Sequence, residues 1–473
     1  MDDELFYADV FALRRAGRPA ASLIEGLLDR IASLDAPSSS TALRSVLAVS
    51  DRALDEARAC DQTAEGGPLH GIPVLVKDNI EVVGLLSTAG ATSLVGRPPR
   101  ADAPLVRRLR EAGAIILGTT NLSQWANIRS TRSTSGWSAV GGLTANPWAL
   151  DRSAGGSSSG SGAAVAAGLA PLAIGTETDG SIICPASLNG VAGIKPTVGA
   201  IPTAGIVPIS SSQDSPGPIA RTIEEVALLL EVLTATPGIL DRVRQGVRGL
   251  RVGVARTWRT SHRPTDDLFD ETVRRVEAAG ALVTDVAAAT PSGTEGRDEL
   301  TVLLWELVEG LAAYLPTRGS DGPQTLGEVV DHERANAAVE LSHFGQELFE
   351  MALAGAAEPR ETYIEARARN LAWAVDTCLT PALTDIDVLI APTYGPAWKI
   401  DLVLGDHGGA ASPITNAPAI AGWPVATAPM GLVEGLPVGI GAVGRPGSEA
   451  LLLAVCRAVE QPARPTWRPP RRG

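Results

Sequence analysis

The chain has 473 residues, 45% of them hydrophobic, so it can bury a large core as one big domain or as up to three small ones. Its 40 basic and 53 acidic residues give a formal net charge of −13, which works against nonspecific attraction to nucleic acid and to anionic membrane surfaces. The four cysteines (Cys60, Cys184, Cys378, Cys456) lie far apart, with no Cys-x-x-Cys pair and no histidines at zinc-ligand spacing, so the spacing points to neither a disulfide framework nor a metal site.

The N-terminus, "MDDELFYADVFALRRAG", opens on acids instead of a basic segment and lacks a continuous apolar run, so no secretory signal is expected and a cytoplasmic location is the default. Residues 3–60 carry apolar residues at helical spacing, as in "ASLIEGLLDRIASL", and read as helices throughout. The texture then changes. "GIPVLVKDNI" (71–80), "AGAIILGTT" (112–120), "GLRVGVAR" (249–256), "DVLIAPTY" (387–394) and "LPVGIGAVG" (436–444) are short apolar runs bounded by Gly, Pro or Asp, as buried strands are. Between them lie the helical patterns "PLVRRLREAG", "RTIEEVALLLEVL", "DDLFDETVRRVEAAG" and "SEALLLAVCRAVEQ". The alternation predicts an α/β fold with a central sheet covered by helices on both faces. Residues 299–380 are long, charged and helical in pattern, and are expected as an elaboration over one edge of the sheet. Apolar runs such as "GAAVAAGLAPLAIG" are too short and too Gly/Pro-punctuated to span a bilayer. The tail 461–473 is rich in Pro and Arg and is expected to fray.

The stretch "DRSAGGSSSGSGAAVAAGLA" (151–170) raises a choice of chemistry. A linker would sit in polar, low-complexity surroundings, whereas an Ala-rich segment of high helix propensity follows at once. A phosphate cradle of the G-x-x-x-x-G-K-[ST] kind requires a lysine that is missing here. "GSSSG" fits a nucleophile elbow centred on Ser158, but such an elbow needs a preceding strand, and "NPWALDRSAG" carries Pro, Asp, Arg and Gly in its place. It also needs a downstream histidine, for which His407 in "GDHGG" is the best placed. Two other segments bear on the question. Lys77 ends an apolar strand, where its ammonium either snorkels to water or has its pKa lowered. Ser181 follows "TETDG", a turn in which several backbone N–H groups can converge beside a hydroxyl.

Lys77 in "GIPVLVKDNI", the loop "GGSSSGSGAA" and "GTETDGSIICPASLNGVAGIKPT" resemble, in this order and at matching spacing, the amidase signature family. The resemblance extends through "SSSQDSPGPIARTIEEVALLL" to "APTYGPAW" and "GLPVGI", over most of residues 65–460. Within the family, "TNLSQWANIRSTRSTSGWSAVGG" (120–142), "GTETDGSI" and "VLGDHGG" look most like the bacterial peptide amidase branch. Two positions depart from the pattern of other branches: Asp179 stands where a Gly-Gly pair usually begins, and Ile183 where an arginine is common. Both weaken any transfer of substrate preference from those branches.

The resemblance implies a single large domain over 63–460 built on a mixed twisted sheet, with N-terminal helices over 1–62 packed on it. It implies a Ser–Ser–Lys triad of Ser181 as nucleophile, Ser157 as the bridging serine and Lys77 as general base, with a cis peptide bond between Gly156 and Ser157. The chemistry is self-consistent, because a serine hydroxyl is a poor nucleophile until a base takes its proton, and a desolvated lysine can be that base when neutral. Backbone N–H groups of Thr178, Asp179, Gly180 and Ser181 would form the oxyanion hole, Ser158 would support the turn, and Asn127 is a candidate contact for the scissile carboxamide. The implied substrate is a small or peptide amide, turned over without metal or organic cofactor by a monomer or homodimer. The alternatives are an acyltransferase, an esterase or a glutamine-hydrolysing amidotransferase subunit. The pocket is expected from about 300–400, where Trp305, Trp373 and Trp398 line it or belong to the core.

Overall fold

Each of the five apolar runs forms a strand in the computed structural model, which describes residues 3–36, 39, 41–63, 66–408, 410–460 and 468–470. In chain order the strands are β1 (Val46–Val49), β2 (Pro73–Lys77), β3 (Ile115–Thr120), β4 (Trp137–Ser138), β5 (Gly142–Leu143), β6 (Leu172–Glu177), β7 (Ala192–Lys195), β8 (Ser215–Ala220), β9 (Arg251–Ala255), β10 (Leu282–Val286), β11 (Val388–Pro392), β12 (Val425–Val433) and β13 (Leu436–Val443). Short β4 and β5 pair only with each other, and the remaining 11 strands form one sheet in the order β1-β3-β2-β6-β8-β7-β12-β13-β11-β9-β10. The sheet is mixed in a regular way. Parallel trios β3-β2-β6 and β11-β9-β10 flank an antiparallel centre.

Two expectations are corrected. Residues 3–60 are not all helical: "VLAV" forms β1, antiparallel to β3 at the sheet's edge, entered through Asp35, whose carboxylate accepts from the Ser45 and Val46 N–H groups at 2.9 and 2.7 Å. The sheet thus begins inside the N-terminal segment. The helical region after residue 293 is not confined to an edge: Trp373, Ala374 and Cys378 share a core cluster with Val286 of the edge strand β10, but the region's first helix lies elsewhere. Leu304, Leu307, Leu311 and Tyr314 of the helix Gly293–Tyr314 instead pack on Ala89, Ala91, Leu94, Trp125 and Val207, which belong to loops beyond the ends of β2, β3 and β7. The stretch Gly293–Arg318 is long and apolar enough to cross a membrane by length and composition, with 39% of its apolar window buried inside the fold. Of the tail, 461–467 and 471–473 lie outside the described residues, while Arg468 bonds Glu4 and lies over the Tyr7 ring.

Helices flank the sheet. Ile223–Thr234 starts at a capping box in which Thr222 Oγ1 accepts from the Glu225 N–H and Glu225 Oε2 accepts from the Thr222 N–H, both at 3.0 Å, as "TIEE" foreshadows. With Arg263–Ala278 and Glu449–Glu460 it buries Val226, Leu229, Val276, Leu452 and Leu453 in the main core. The Gly/Ser run becomes the fully buried helix Ser159–Ala166, which packs against Ile183–Asn189. Its small residues are required by proximity. A Cβ on Gly160 would fall 2.3 Å from the Ser45 carbonyl oxygen and 2.5 Å from that of Asn121, and main chain cannot yield as a side-chain tip can.

Gly160→Ala is therefore expected to destabilise the chain by about 1–3 kcal/mol or more through overpacking. Gly296→Ala, in an exposed helical position with nothing within 4 Å of the new Cβ, is expected to stabilise it by up to about 1 kcal/mol. Urea denaturation midpoints of the two variants check both signs.

Candidate active site

Lys77 closes β2, which runs parallel to β3 on one side and β6 on the other, with Lys77 opposite Thr120. All five residues of β2 are buried and Lys77 is 0% exposed, so the snorkelling reading fails and the ammonium is solvated by protein alone. Its Nζ lies 2.7 Å from Ser157 Oγ, 2.8 Å from Thr176 Oγ1 and 3.2 Å from the Thr176 carbonyl oxygen. Three acceptors satisfy an ammonium. A neutral amine can keep the two bonds to Thr176 and turn its lone pair toward the Ser157 hydroxyl, so one constellation serves both protonation states. Burial lowers the Lys77 pKa from 10.5 to about 7, and the nearby charges of Asp214 and Glu177 restrain the fall.

Ser157 is fully buried, follows a cis bond from Gly156, and is held by its carbonyl, which accepts from the Ser123 N–H at 3.1 Å. Ser158 is buried as well: its Oγ donates to the Thr176 carbonyl at 3.1 Å and accepts from the Thr176 N–H at 3.2 Å, bracing the loop against β6. This removes the elbow reading. His407 belongs elsewhere, 43% exposed with Nε2 at 3.2 Å from Asp401 Oδ2.

The third segment leaves β6 at Glu177. Glu177 Oε2 accepts from the Ile182 and Ile183 N–H groups at 2.6 and 2.9 Å, closing Thr178–Ser181 into a tight turn. Gly180 sits at φ 76°, with the Tyr394 hydroxyl 2.9 Å from where a Cβ would stand, so geometry and space both require glycine. Thr178 Oγ1 donates to Asp214 Oδ1 at 2.6 Å, and Asp214 Oδ2 accepts from the Ile209 and Ser210 N–H groups at 2.8 and 3.0 Å. Burial raises the Asp214 carboxyl to about 6 despite these bonds. Ser181 is partly exposed, and its carbonyl accepts from the Ser158 N–H at 3.1 Å, which stitches the two serine segments together. Among the described residues, the N–H groups of Asp179, Gly180 and Ser181 make no hydrogen bond within the chain.

Hydrogen bonds thus tie Lys77 to Ser157 and Thr176, Ser158 to Thr176 and to the Ser181 carbonyl, and Thr178 to Asp214, while among the described residues no bond joins the Ser157 and Ser181 hydroxyls. Asn127 stands at φ 77° after two more left-handed residues, Trp125 and Ala126, with its Oδ1 buried and unpartnered. Ala126 lines a small cavity with Asn79, Thr176, Thr178 and Asp214, which places this turn beside the network. Of the tryptophans, Trp398 packs beside Cys184 and donates to Asp406 at 3.1 Å, Trp373 packs against a core cluster, and Trp305 stacks on Tyr363 at 5.6 Å. Sequence reasoning missed Thr176, Asn79, Glu177 and Asp214. Thr176 and Thr178 alternate on "GTETDG", and that spacing was the available signal.

A family model described as amidase matches residues 22–453. The chain belongs to the amidase family. The solved peptide amidase of Stenotrophomonas maltophilia superposes with a TM-score of 0.89 at 41% identity over 98% of both chains. A mandelamide hydrolase of Pseudomonas putida is 32% identical over 97% of this chain and 91% of its own length. A glutamyl-tRNA(Gln) amidotransferase subunit of Methanosarcina mazei is 33% identical over 88% of this chain and 89% of its own. As an amidase, the chain is a hydrolase of amide carbon–nitrogen bonds, and the network around Lys77 is where its three family segments meet.

The displaced pKa makes the stability of the amidase fold depend on pH through Lys77. Folding lowers the Lys77 value from 10.5 to about 7, so between those limits the unfolded chain binds more protons and the wild type gains stability as pH rises. The unfolding free energy of Lys77→Met relative to wild type is expected to fall by about 1.4 kcal/mol per pH unit between pH 7 and 9. A pH-independent difference in chemical denaturation would contradict the displaced pKa.

Proposed function

We propose that this amidase hydrolyses a linear carboxamide, with a C-terminal peptide amide as the preferred class, through Ser181, Ser157 and Lys77. The contact between Lys77 Nζ and Ser157 Oγ at 2.7 Å, inside a site that excludes water from the amine, carries this reading. An amine held near pKa 7 is substantially neutral at physiological pH, where a free lysine is not. It accepts the Ser157 proton as Ser157 accepts that of Ser181, and Ser181 Oγ attacks the carbonyl carbon. The oxyanion is received by the uncommitted N–H groups of Asp179, Gly180 and Ser181, with Thr178 at the rim, each such donor being worth about 3–4 kcal/mol. As the C–N bond breaks, the proton returns through Ser157 to the leaving nitrogen, and water then hydrolyses the acyl–Ser181 ester. Ser158 braces the loop and Asn127 stands where it can meet the carboxamide.

The similarity to the peptide amidase, over nearly the whole of both chains, supports the peptide amide class. Similarity to the amidotransferase protein is lower in identity and coverage, and Asp179 alters the turn before Ser181 relative to the glycine pair usual in that branch.

Ser181→Ala is expected to lower kcat for ammonia release by about 10⁴-fold or more. A fluorophosphonate should label Ser181 in the wild type, as read by peptide mass spectrometry. In the wild type kcat/KM should rise through an apparent pKa of about 7 as Lys77 loses its proton, and Lys77→Ala should remove that limb. Labelling at Ser158 with Ser181 untouched, or an unchanged limb in Lys77→Ala, would sink the proposed triad.

A further inference from the structure

Asp179, the position that departs from the family's glycine pair, has a partner in Asn416, the first residue of the short helix Asn416–Ala421. Asn416 Nδ2 lies 3.4 Å from Asp179 Oδ2 and 3.0 Å from Glu299 Oε2, so one amide nitrogen spans two carboxylates. Gln213, 0% exposed, donates from Nε2 to Glu299 Oε1 at 2.9 Å, and its own Oε1 has no partner. Asn416 Oδ1 is likewise buried and unpartnered. Neither carboxylate takes part in an ion pair among the described residues. Two cations face them and hydrogen-bond to carbonyls: Lys195, whose charge acts on Asp179, donates to the Trp423 and Pro196 carbonyls at 2.6 and 3.3 Å, and Arg367, whose charge acts on Glu299, donates to the Ile420 carbonyl at 2.8 Å. Glu177 faces Asp179 from the other side and adds negative charge, and the Tyr394 hydroxyl is a neutral neighbour. The group keeps two unpartnered acceptors, Gln213 Oε1 and Asn416 Oδ1, and Asp179 lies in the same turn as Ser181, with Asp179, Ser181 and Asn416 partly exposed.

We propose that Asp179, Glu299, Gln213 and Asn416 form a subsite for a cationic group of the substrate, an ammonium or guanidinium carried close to the scissile carboxamide. The proposal rests on the reading of Ser181 as nucleophile, since that is what places the subsite next to the reacting bond. Two carboxylates that share one amide nitrogen disfavour each other's ionisation, and a further cation brought beside them relieves that repulsion. Burial, and after it the charge of Asp179, raise the Glu299 pKa, so a cation arriving there would favour loss of a proton from this carboxyl. A neutral group there would leave buried acceptors unpaired, the circumstance in which a polar site rejects an analogue most strongly.

Three amides separate the possibilities: N-acetyl-norleucinamide as the neutral reference, norleucinamide with an α-ammonium, and N-acetyl-lysinamide with a side-chain ammonium. At pH 7.5 at least one cationic amide is expected to exceed the neutral one tenfold in kcat/KM. Glu299→Gln should reduce that ratio at least tenfold, and Glu299→Asp, which keeps the charge, should retain part of it. Calorimetry with n-butylammonium needs no turnover: the wild type should bind it at least tenfold more tightly than Glu299→Gln and release protons on binding at pH 7. A preference for the neutral amide, or equal butylammonium binding by wild type and Glu299→Gln, overturns the subsite. Butylammonium binding without fluorophosphonate labelling of Ser181 would keep the subsite and reject the nucleophile, whereas labelling without any cation preference would reject the subsite alone.

Discussion

The structure depends on keeping one amine out of water. Lys77 sits at the end of a strand buried on both sides by parallel neighbours, and moving its pKa from 10.5 to about 7 corresponds to roughly 5 kcal/mol of differential interaction between its charged and neutral forms. The rest of the core must sustain that cost. It also explains why Thr176, Ser157 and Ser158 are hydrogen-bonded to the amine, to the backbone or to one another, with Asn79 Nδ2 donating to Thr176 Oγ1 as well. Loosening any of them would admit water or strand a donor, and either change would return the amine toward its ordinary, protonated state.

Carboxylates set the other side of this balance. Asp214 and Glu177 stand close enough to resist the loss of the lysine proton, yet each is also bound to backbone N–H groups that shape the loops around Ser181. Their placement couples the shape of the turn to the basicity of the lysine. A change at Asp214 would therefore move the loop 209–214, the Thr178 hydroxyl and the Lys77 equilibrium together, and a structural variant here would show itself as a shifted pH profile.

How much of this is legible in the chain depends on the residues. Short apolar strands bounded by turn residues, such as "PVLVK" and "LPVGIGAV", declare themselves, as does the capping box at Thr222. β8, "SPGPIA", does not, because two prolines argue against an interior strand, yet Pro216 and Pro218 sit opposite Thr176 and Ile174 in the middle of the sheet. β1 was hidden by its brevity among helical charges, and its role appears only once Asp35 and β3 are seen around it. Lys77, Ser157 and Ser181 were visible through ordered segments that resemble a family, since nothing in their spacing of 80 and 24 residues reports proximity. Thr176, Asp214 and Glu299 act through contacts between segments distant in sequence, and such contacts leave no local periodicity to read.

The helix Gly293–Tyr314 has a further consequence for how such a pocket can diverge. It carries the Leu304–Leu307–Leu311 seam on the side that seals the loops and Glu299 toward Asn416 and Gln213. Both placements hang on a single helical phase. Inserting or deleting one residue between Glu299 and Leu304 would turn the carboxylate by about 100° relative to the seam, so either the pocket or the packing would be lost. Exchanging side chains at fixed length leaves the phase intact. Divergence of the pocket wall is accordingly confined to point replacement along this helix, with changes of length pushed out to the connections on either side of it.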